Sequence, residues 1–377
     1  MPVCLNRDPS GHELRKRTNG ILGKTPAEFR ETEAHCLDIG LVNNMPDKAL
    51  GATERQFLTL LEDAAGGVVA RLWLYALPDI PREDSGRRHL TTFYSGIEDL
   101  WNSHLDGLIV TGTEPRAANL ADEPYWGSLV RVIEWADRGA ASSVFSCLGA
   151  HAAVLHLDGI ARRRLTAKQF GLFECGPVSG HPLTAGLPRR FRMPHSRWND
   201  VPEDELAACG YRVLTRAEGA GVDAFARQRR SLSLFFQGHP EYEAHTLLLE
   251  YRRDVARFLR GERETHPDLP HRYFDPAAAR ALAAFRERAL GDRRDELMAD
   301  FPAASVETRL ANTWRPAAAR IYHNWLAYLR EQKQQRLNGR PRRGLPLNGN
   351  GAVGANGPAP ADRPRASDPQ HSLDRIA

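Results

Sequence analysis

The run SSVFSCLGAHAAVLHL, residues 142 to 157, passes from a short apolar segment to an alanine-rich one, with Cys147 at the join. The first five residues suit an extended strand. The residues after Gly149 suit a helix, and Gly149 itself eases the sharp turn between them. A thiol on such a strand-to-helix turn is displayed at the strand end, where the helix N-terminus favours a thiolate. A buried structural cysteine fits the same local sequence equally well, so the rest of the chain has to decide between the two.

Upstream lie three more apolar runs ended by turn or polar residues: HCLDIGLVN (35–43), GVVARLWLYAL (67–77) and DGLIVTG (106–112). With SSVFSC (142–147) they read as strands. Between them KALGATERQFLTLLEDA (48–64), SGIEDLWNSH (95–104) and EPYWGSLVRVIEWADRG (123–139) repeat apolar residues at three and four, the spacing of a helix with one buried face. Strand and helix in alternation imply right-handed crossovers, so the fold class is α/β with a mostly parallel sheet flanked by helices on both faces. In such sheets ligands bind beyond the carboxyl ends of the strands, which is where Cys147 stands.

A chain of 377 residues, 42% of them hydrophobic, can bury a core without disulfide staples. Its five cysteines, Cys4, Cys36, Cys147, Cys175 and Cys209, show neither a CxxC pair nor zinc spacing, so no metal site is expected. The 51 basic residues are interleaved with 47 acidic ones for a net charge of +4, a pattern of solvated surface and not of a nucleic-acid footprint. ARRRL (161–165) and GRPRRG (339–344) are local exceptions that suit a phosphate but read first as solvated surface. No leader-like or membrane-length apolar run occurs, which points to the cytoplasm and to no membrane partner. Residues 1–34 are polar and aperiodic. The segment from 336 to 377, rich in Gly, Pro, Asn and Ala, is expected to be disordered. One domain is left, spanning 35–332, with a helical insert at about 275–301 and a C-terminal helical extension.

A thiolate nucleophile needs a base, and the base needs an orienting group. SLSLFFQGHPEYE (231–243) supplies both: an apolar strand ends at Gly238, His239 follows at its tip, and Glu241 comes two residues later. Residues two apart in an extended segment share a side, so the carboxylate can reach back to the imidazole. Together with a strand-end cysteine, this raises the functional reading above that of a plain surface histidine.

FSCLGAH followed by GHPEYE resembles the class I glutamine amidotransferase-like fold, whose triad runs Cys, His, Glu. LVNNMPDKALGATERQFLTLL (41–61), DGLIVTGTEP (106–115), EPYWGSLVRVIEWA (123–136), MPHSRWND (193–200), GHPEYEAHTLLLEYRRDV (238–255), DLPHRYF (268–274) and TWRPAAARIYHNWLAYL (313–329) narrow the likeness to the homoserine O-acyltransferase family, commonly homoserine O-succinyltransferases of methionine biosynthesis. The resemblance implies ping-pong acyl transfer from an acyl-CoA to L-homoserine through a Cys147 thioester. In it His239 is the base, Glu241 its orienting partner, and the Leu148 N–H an oxyanion donor. It further implies that Arg253 receives the homoserine carboxylate, since the adjacent Arg252 points about 100° away round the helix, and that Lys48 serves the site. His195, Ser196, Arg197 and Lys168 are candidate lining groups. Acyl-CoA enters as co-substrate with no separate cofactor, and a homodimer is compatible with this reading.

Three features depart from the family pattern: Leu148 where an aromatic is common, the helical insert, and the tail. The first keeps a glutaminase or amidohydrolase on the same fold as an alternative, and a non-catalytic ligand sensor is a third reading. For the acyl donor, the family associates glutamate a few residues past the VTG strand end with acetyl-CoA and glycine with succinyl-CoA. Here Arg116 occupies that place. A cation there suits the distal carboxylate of a succinyl group, so succinyl-CoA is preferred over acetyl-CoA.

Overall fold

A computed structural model describes residues 3–5, 36–178 and 180–339. The N-terminal segment, apart from a short strand, and nearly all of the low-complexity tail lie outside these residues. The strands are β1 (Val3–Leu5), β2 (Cys36–Val42), β3 (Val69–Tyr75), β4 (Gly107–Val110), β5 (Ser142–Ser146), β6 (Arg163–Pro177), β7 (Phe191–Asp200), β8 (Arg212–Ala217), β9 (Gly221–Gln228) and β10 (Leu232–Phe236). The helices are α1 (Leu50–Ala64), α2 (Asp84–Phe93), α3 (Ile97–Trp101), α4 (Trp126–Gly139), α5 (Leu148–Asp158), α6 (Glu203–Ala208), α7 (Thr246–Leu259), α8 (Pro276–Gly291), α9 (Ala303–Glu307) and α10 (Arg315–Leu337).

All ten strands form one sheet in the order β1-β3-β2-β4-β5-β10-β9-β8-β6-β7. From β1 to β10 every neighbouring pair is parallel. From β10 to β7 every pair is antiparallel. The α/β class holds, and the sheet is parallel where it carries the nucleophile and antiparallel beyond it. A strand buried at every position, such as β4 or β5, requires cover on both faces. One face receives α1 and α10, whose Phe57, Leu60, Leu61, Ile321, Trp325 and Leu329 pack on Ile39, Leu72, Val144 and Leu234. The other receives α4 and α5 against Val42, Val110, Phe145 and Phe235. Each fully buried side chain of this size contributes about 1.5–3 kcal/mol of transfer free energy.

The C-terminal helix is therefore a layer of the fold and not an appendage. The Trp325 indole donates to Ser142 Oγ at 2.9 Å, directly under β5. At its far end Lys333 and Arg336 close on the buried carboxylate of Asp106 at 2.8 and 2.9 Å. Asp275 caps α8 by accepting from the Ala278 amide at 2.7 Å, and Leu282 and Phe285 pack with Tyr251 and Phe258 of α7. Among the described residues no helix is long and apolar enough to cross a membrane.

Candidate active site

Cys147 caps the N-terminus of α5 with φ +50° and ψ −111°. A non-glycine residue with positive φ costs of order 1–3 kcal/mol and persists only where its surroundings enforce it. Here its amide donates to the Phe236 carbonyl at 2.8 Å, and its own carbonyl accepts from Ala150 and His151 at 3.0 and 3.2 Å. The turn is thus pinned to β10 on one side and to the helix on the other.

The same pinning brings the base close. Because β5 and β10 are parallel neighbours with Ser146 opposite Phe236, the residues following each strand emerge at one level. His239 and Glu241 are both buried, and His239 Nδ1 lies 2.8 Å from Glu241 Oε1. Ser146 Oγ donates to that same carboxylate oxygen at 3.3 Å. Tyr242 stacks on the imidazole with ring centroids 4.1 Å apart, while its backbone carbonyl is held by Trp314 Nε1 at 3.0 Å. Burial is the largest influence on His239 and would lower its pKa. The negative charges of Cys147 and Glu241, and hydrogen bonds to both, outweigh it and hold the imidazole well above its usual value. The imidazolium form of His239 is thereby favoured.

The backbone amides of Leu148, at the start of α5, and of Gly112, just past β4, have no protein partner among the described residues. Gly112 packs so tightly on Leu148 that a Cβ there would lie 2.4 Å from Leu148 Cβ and 3.1 Å from Leu148 N. A side chain at position 112 would therefore push the strand-end loop off the elbow. Both donors suit an oxyanion that forms beside Cys147.

Ser196, Lys168 and Arg253 meet around α7. Ser196 Oγ donates to Glu250 Oε2, and the Tyr242 hydroxyl donates to the other oxygen of Glu250. Lys168 Nζ lies 3.4 Å from Asp254 and 3.7 Å from Glu250, and Arg253 Nε donates to Asp254 at 2.9 Å. Arg252 turns the other way, over the ring of Phe301 in the insert. Lys48 is exposed in a 3-10 turn before α1 and has no hydrogen bond among the described residues. The Arg116 side chain is exposed, and only its amide is engaged, donating to Glu123. Glu114 pairs with Arg257 at 3.2 Å.

His195 and Arg197 are buried in a row in which Arg197 Nε donates to His195 Nδ1 at 3.3 Å and His195 Nε2 faces Asp223 Oδ1 at 3.2 Å. Thr215 Oγ1 donates to Asp223 Oδ2 at 2.7 Å. Cys175 stands close enough to His195 and Asp223 to suggest a metal trio. However, Nδ1 accepts from an obligate donor, so Nε2 carries the proton and has no lone pair for an ion. Burial, foremost, also pushes the Cys175 thiol far up, keeping it neutral.

The row has a role beside the triad, because Gly238 lies on it. A Cβ at 238 would meet Asp223 Oδ1 at 2.4 Å, Met193 Cγ at 2.9 Å and His195 Nε2 at 3.1 Å. Flanking amides fix the same turn: Gln237 N donates to Asp223 O and His239 N to Pro194 O, both at 2.8 Å. Gly238→Ala is expected to keep the fold but displace His239, lowering kcat by about 10²-fold with KM little changed. Steady-state kinetics beside a circular dichroism spectrum checks this, and an unchanged kcat would contradict it. Neither this row nor the close packing of Gly112 on Leu148 was foreseen from the sequence.

Comparison with known proteins adds the following. A family model described as homoserine O-succinyltransferase matches residues 2–336. The homoserine O-succinyltransferase of Methylorubrum extorquens is 48% identical over 313 residues, covering 83% of this chain and 91% of the relative. That of Rhodopseudomonas palustris is 47% identical over 300 residues, covering 80% and 90%. Among solved structures, a glutamine amidotransferase from Thermotoga maritima covers 78% of this chain and 98% of its own at 12% identity, with a TM-score of 0.45.

Proposed function

The chain belongs to the homoserine O-succinyltransferase family, and from that premise we propose that Cys147, His239 and Glu241 carry its acyl transfer in two half-reactions. The protein is a homoserine O-acyltransferase with a succinyl preference, a methionine-biosynthetic enzyme, and the glutaminase and sensor readings give way to that membership. The observation that carries the residue assignment is the 2.8 Å contact of His239 Nδ1 with Glu241, on an imidazole that the charge of the strained Cys147 helps to hold above its usual pKa.

In the first half the Cys147 thiolate attacks the thioester carbonyl of succinyl-CoA. The carbonyl oxygen becomes an oxyanion facing the amides of Leu148 and Gly112. Collapse breaks the bond to CoA, whose thiolate takes the proton of the His239 imidazolium. Acylation removes the negative charge of Cys147, one of the influences that hold His239 high, so its pKa falls and the neutral imidazole becomes a base. In the second half it accepts the hydroxyl proton of homoserine as that oxygen attacks the thioester. The Cys147 thiolate leaves and the imidazolium is restored.

Arg253 is assigned to the homoserine carboxylate, with Lys168 and Ser196 setting its surroundings through Glu250 and Asp254. Lys48 is assigned to the same substrate mouth, and Arg116 to the acyl side of the cleft. The scheme asks for no cofactor beyond acyl-CoA, and both substrates are small molecules of the cytoplasm, where we place the enzyme. Incubation with succinyl-CoA alone is expected to release one equivalent of CoA thiol per active chain as a burst, with continuous release once homoserine is added. Continuous release that requires homoserine from the first turnover, without a burst, would overturn the two-step scheme.

A further inference from the structure

His151 and Gln237 are buried polar residues that the triad does not use. His151 stands in the first turn of α5, and Gln237 directly follows β10, two residues before His239. Their side chains meet across 86 residues of sequence, with His151 Nε2 2.9 Å from Gln237 Oε1.

The direction of that bond is fixed by its neighbours. Gln237 Oε1 also accepts from the Val201 amide at 3.0 Å, and Gln237 Nε2 donates to the Val222 carbonyl at 2.9 Å. A backbone N–H can only donate and a carbonyl only accept, so the side-chain amide has one orientation and His151 supplies the proton. Burial, foremost, pushes the His151 pKa down to about 3, which keeps the ring neutral with its one proton on Nε2.

With this bond a circuit closes around Cys147. The Cys147 amide donates to Phe236 O at 2.8 Å, and its carbonyl accepts from the His151 amide at 3.2 Å. Phe236 is joined covalently to Gln237, which returns through its side chain to His151. The residue enclosed is the one at φ +50°, a conformation that persists only where its surroundings over-determine it. The bonds from Ala150 and His151 to the Cys147 carbonyl belong to α5 and move with it. The contact with Gln237 comes from outside the helix. Gln237 is itself anchored, since its backbone amide donates to Asp223 O at 2.8 Å.

We propose that His151 and Gln237 are positioning residues for the nucleophile: their hydrogen bond locks the first turn of α5 to the strand end that carries His239, and so holds the Cys147 thiol in register with its base. This rests on the pairing of Cys147 with His239 described above. Neither residue touches substrate in this scheme.

The test compares succinyl transfer with alkylation of Cys147 by iodoacetamide across pH, the alkylated cysteine being identified by peptide mapping. Alkylation needs neither substrate nor an oxyanion donor, and its pH dependence reports how far the thiolate is favoured. In His151→Leu, Gln237 Oε1 keeps its bond to Val201, so no polar atom is stranded and the circular dichroism spectrum should match the parent's. There kcat is expected to fall about 10²-fold with KM within about threefold, as for a misplaced reacting group. The apparent pKa of alkylation should rise, because the thiol is moved from the imidazolium that stabilises its anion. His151→Gln, which carries an N–H to about the reach of Nε2, should return kcat to within about tenfold of the parent, whereas the shorter His151→Asn should not. These two variants make the same comparison if His151→Leu does not fold. An unchanged kcat and alkylation profile in His151→Leu would overturn the proposal. So would a raised KM with an unmoved profile, which would assign His151 to substrate, or equal losses in the Gln and Asn variants. A parent in which iodoacetamide does not select Cys147 would refute the thiolate–imidazolium pairing itself, and is seen before any variant is made.

Discussion

Cys147→Ala is expected to fold normally and to lose succinyl transfer by on the order of 10⁴-fold or more, because no other thiol can take over the covalent step. Cys36 and Cys175 are buried at 1% exposure, and burial, foremost, pushes both thiols up, away from the thiolate form. Cys209 caps the C-terminus of α6. Replacing Cys36, Cys175 or Cys209 by alanine should therefore leave kcat/KM within a few-fold of the parent. Loss of activity in a Cys209 variant with the Cys147 variant unaffected would show that the nucleophile is misassigned.

His239→Ala should cost more than about 10²-fold in kcat, since it removes the group that gives CoA its proton and then takes one from homoserine. Glu241→Gln should cost less. The amide keeps a hydrogen bond to Nδ1 but loses the negative charge that helps to hold the imidazolium. The pH profile should report that difference. With the anion gone, the His239 pKa drops, so the limb of kcat/KM that depends on the imidazolium moves to lower pH in Glu241→Gln. Equal and small losses in both variants, with an unmoved profile, would dismantle the triad.

Strands β2, β3, β4, β5 and β10 of the parallel half were legible because each is a short run closed by polar or turn residues, whereas β1, three residues in a polar segment, was not. β6 hid its nature. Its first half, RRLTAKQ, is mostly exposed and polar, and only Phe170 to Phe173 and Cys175 are buried. Strands β8 and β9 are short and mixed, which leaves little periodicity to detect. α10 was visible as a helix, but not as the cover of a sheet face, because its partner residues come from strands far away in the chain.

The elbow and the His239–Glu241 spacing are local patterns and could be read directly. What could not be read are contacts that exist only after folding. Gly238 owes its identity to Asp223 and His195 on two other strands, and Gly112 to Leu148, while the partner of His151 lies 86 residues downstream in sequence.

The most direct test of the central claim is the intact mass of the enzyme after incubation with succinyl-CoA in the absence of homoserine, followed by peptide mapping. The account requires one added succinyl group per chain, located on Cys147, absent from Cys147→Ala, and discharged as O-succinylhomoserine when homoserine is supplied. A succinyl group on any other residue, or an adduct on Cys147 that homoserine does not remove, would contradict it.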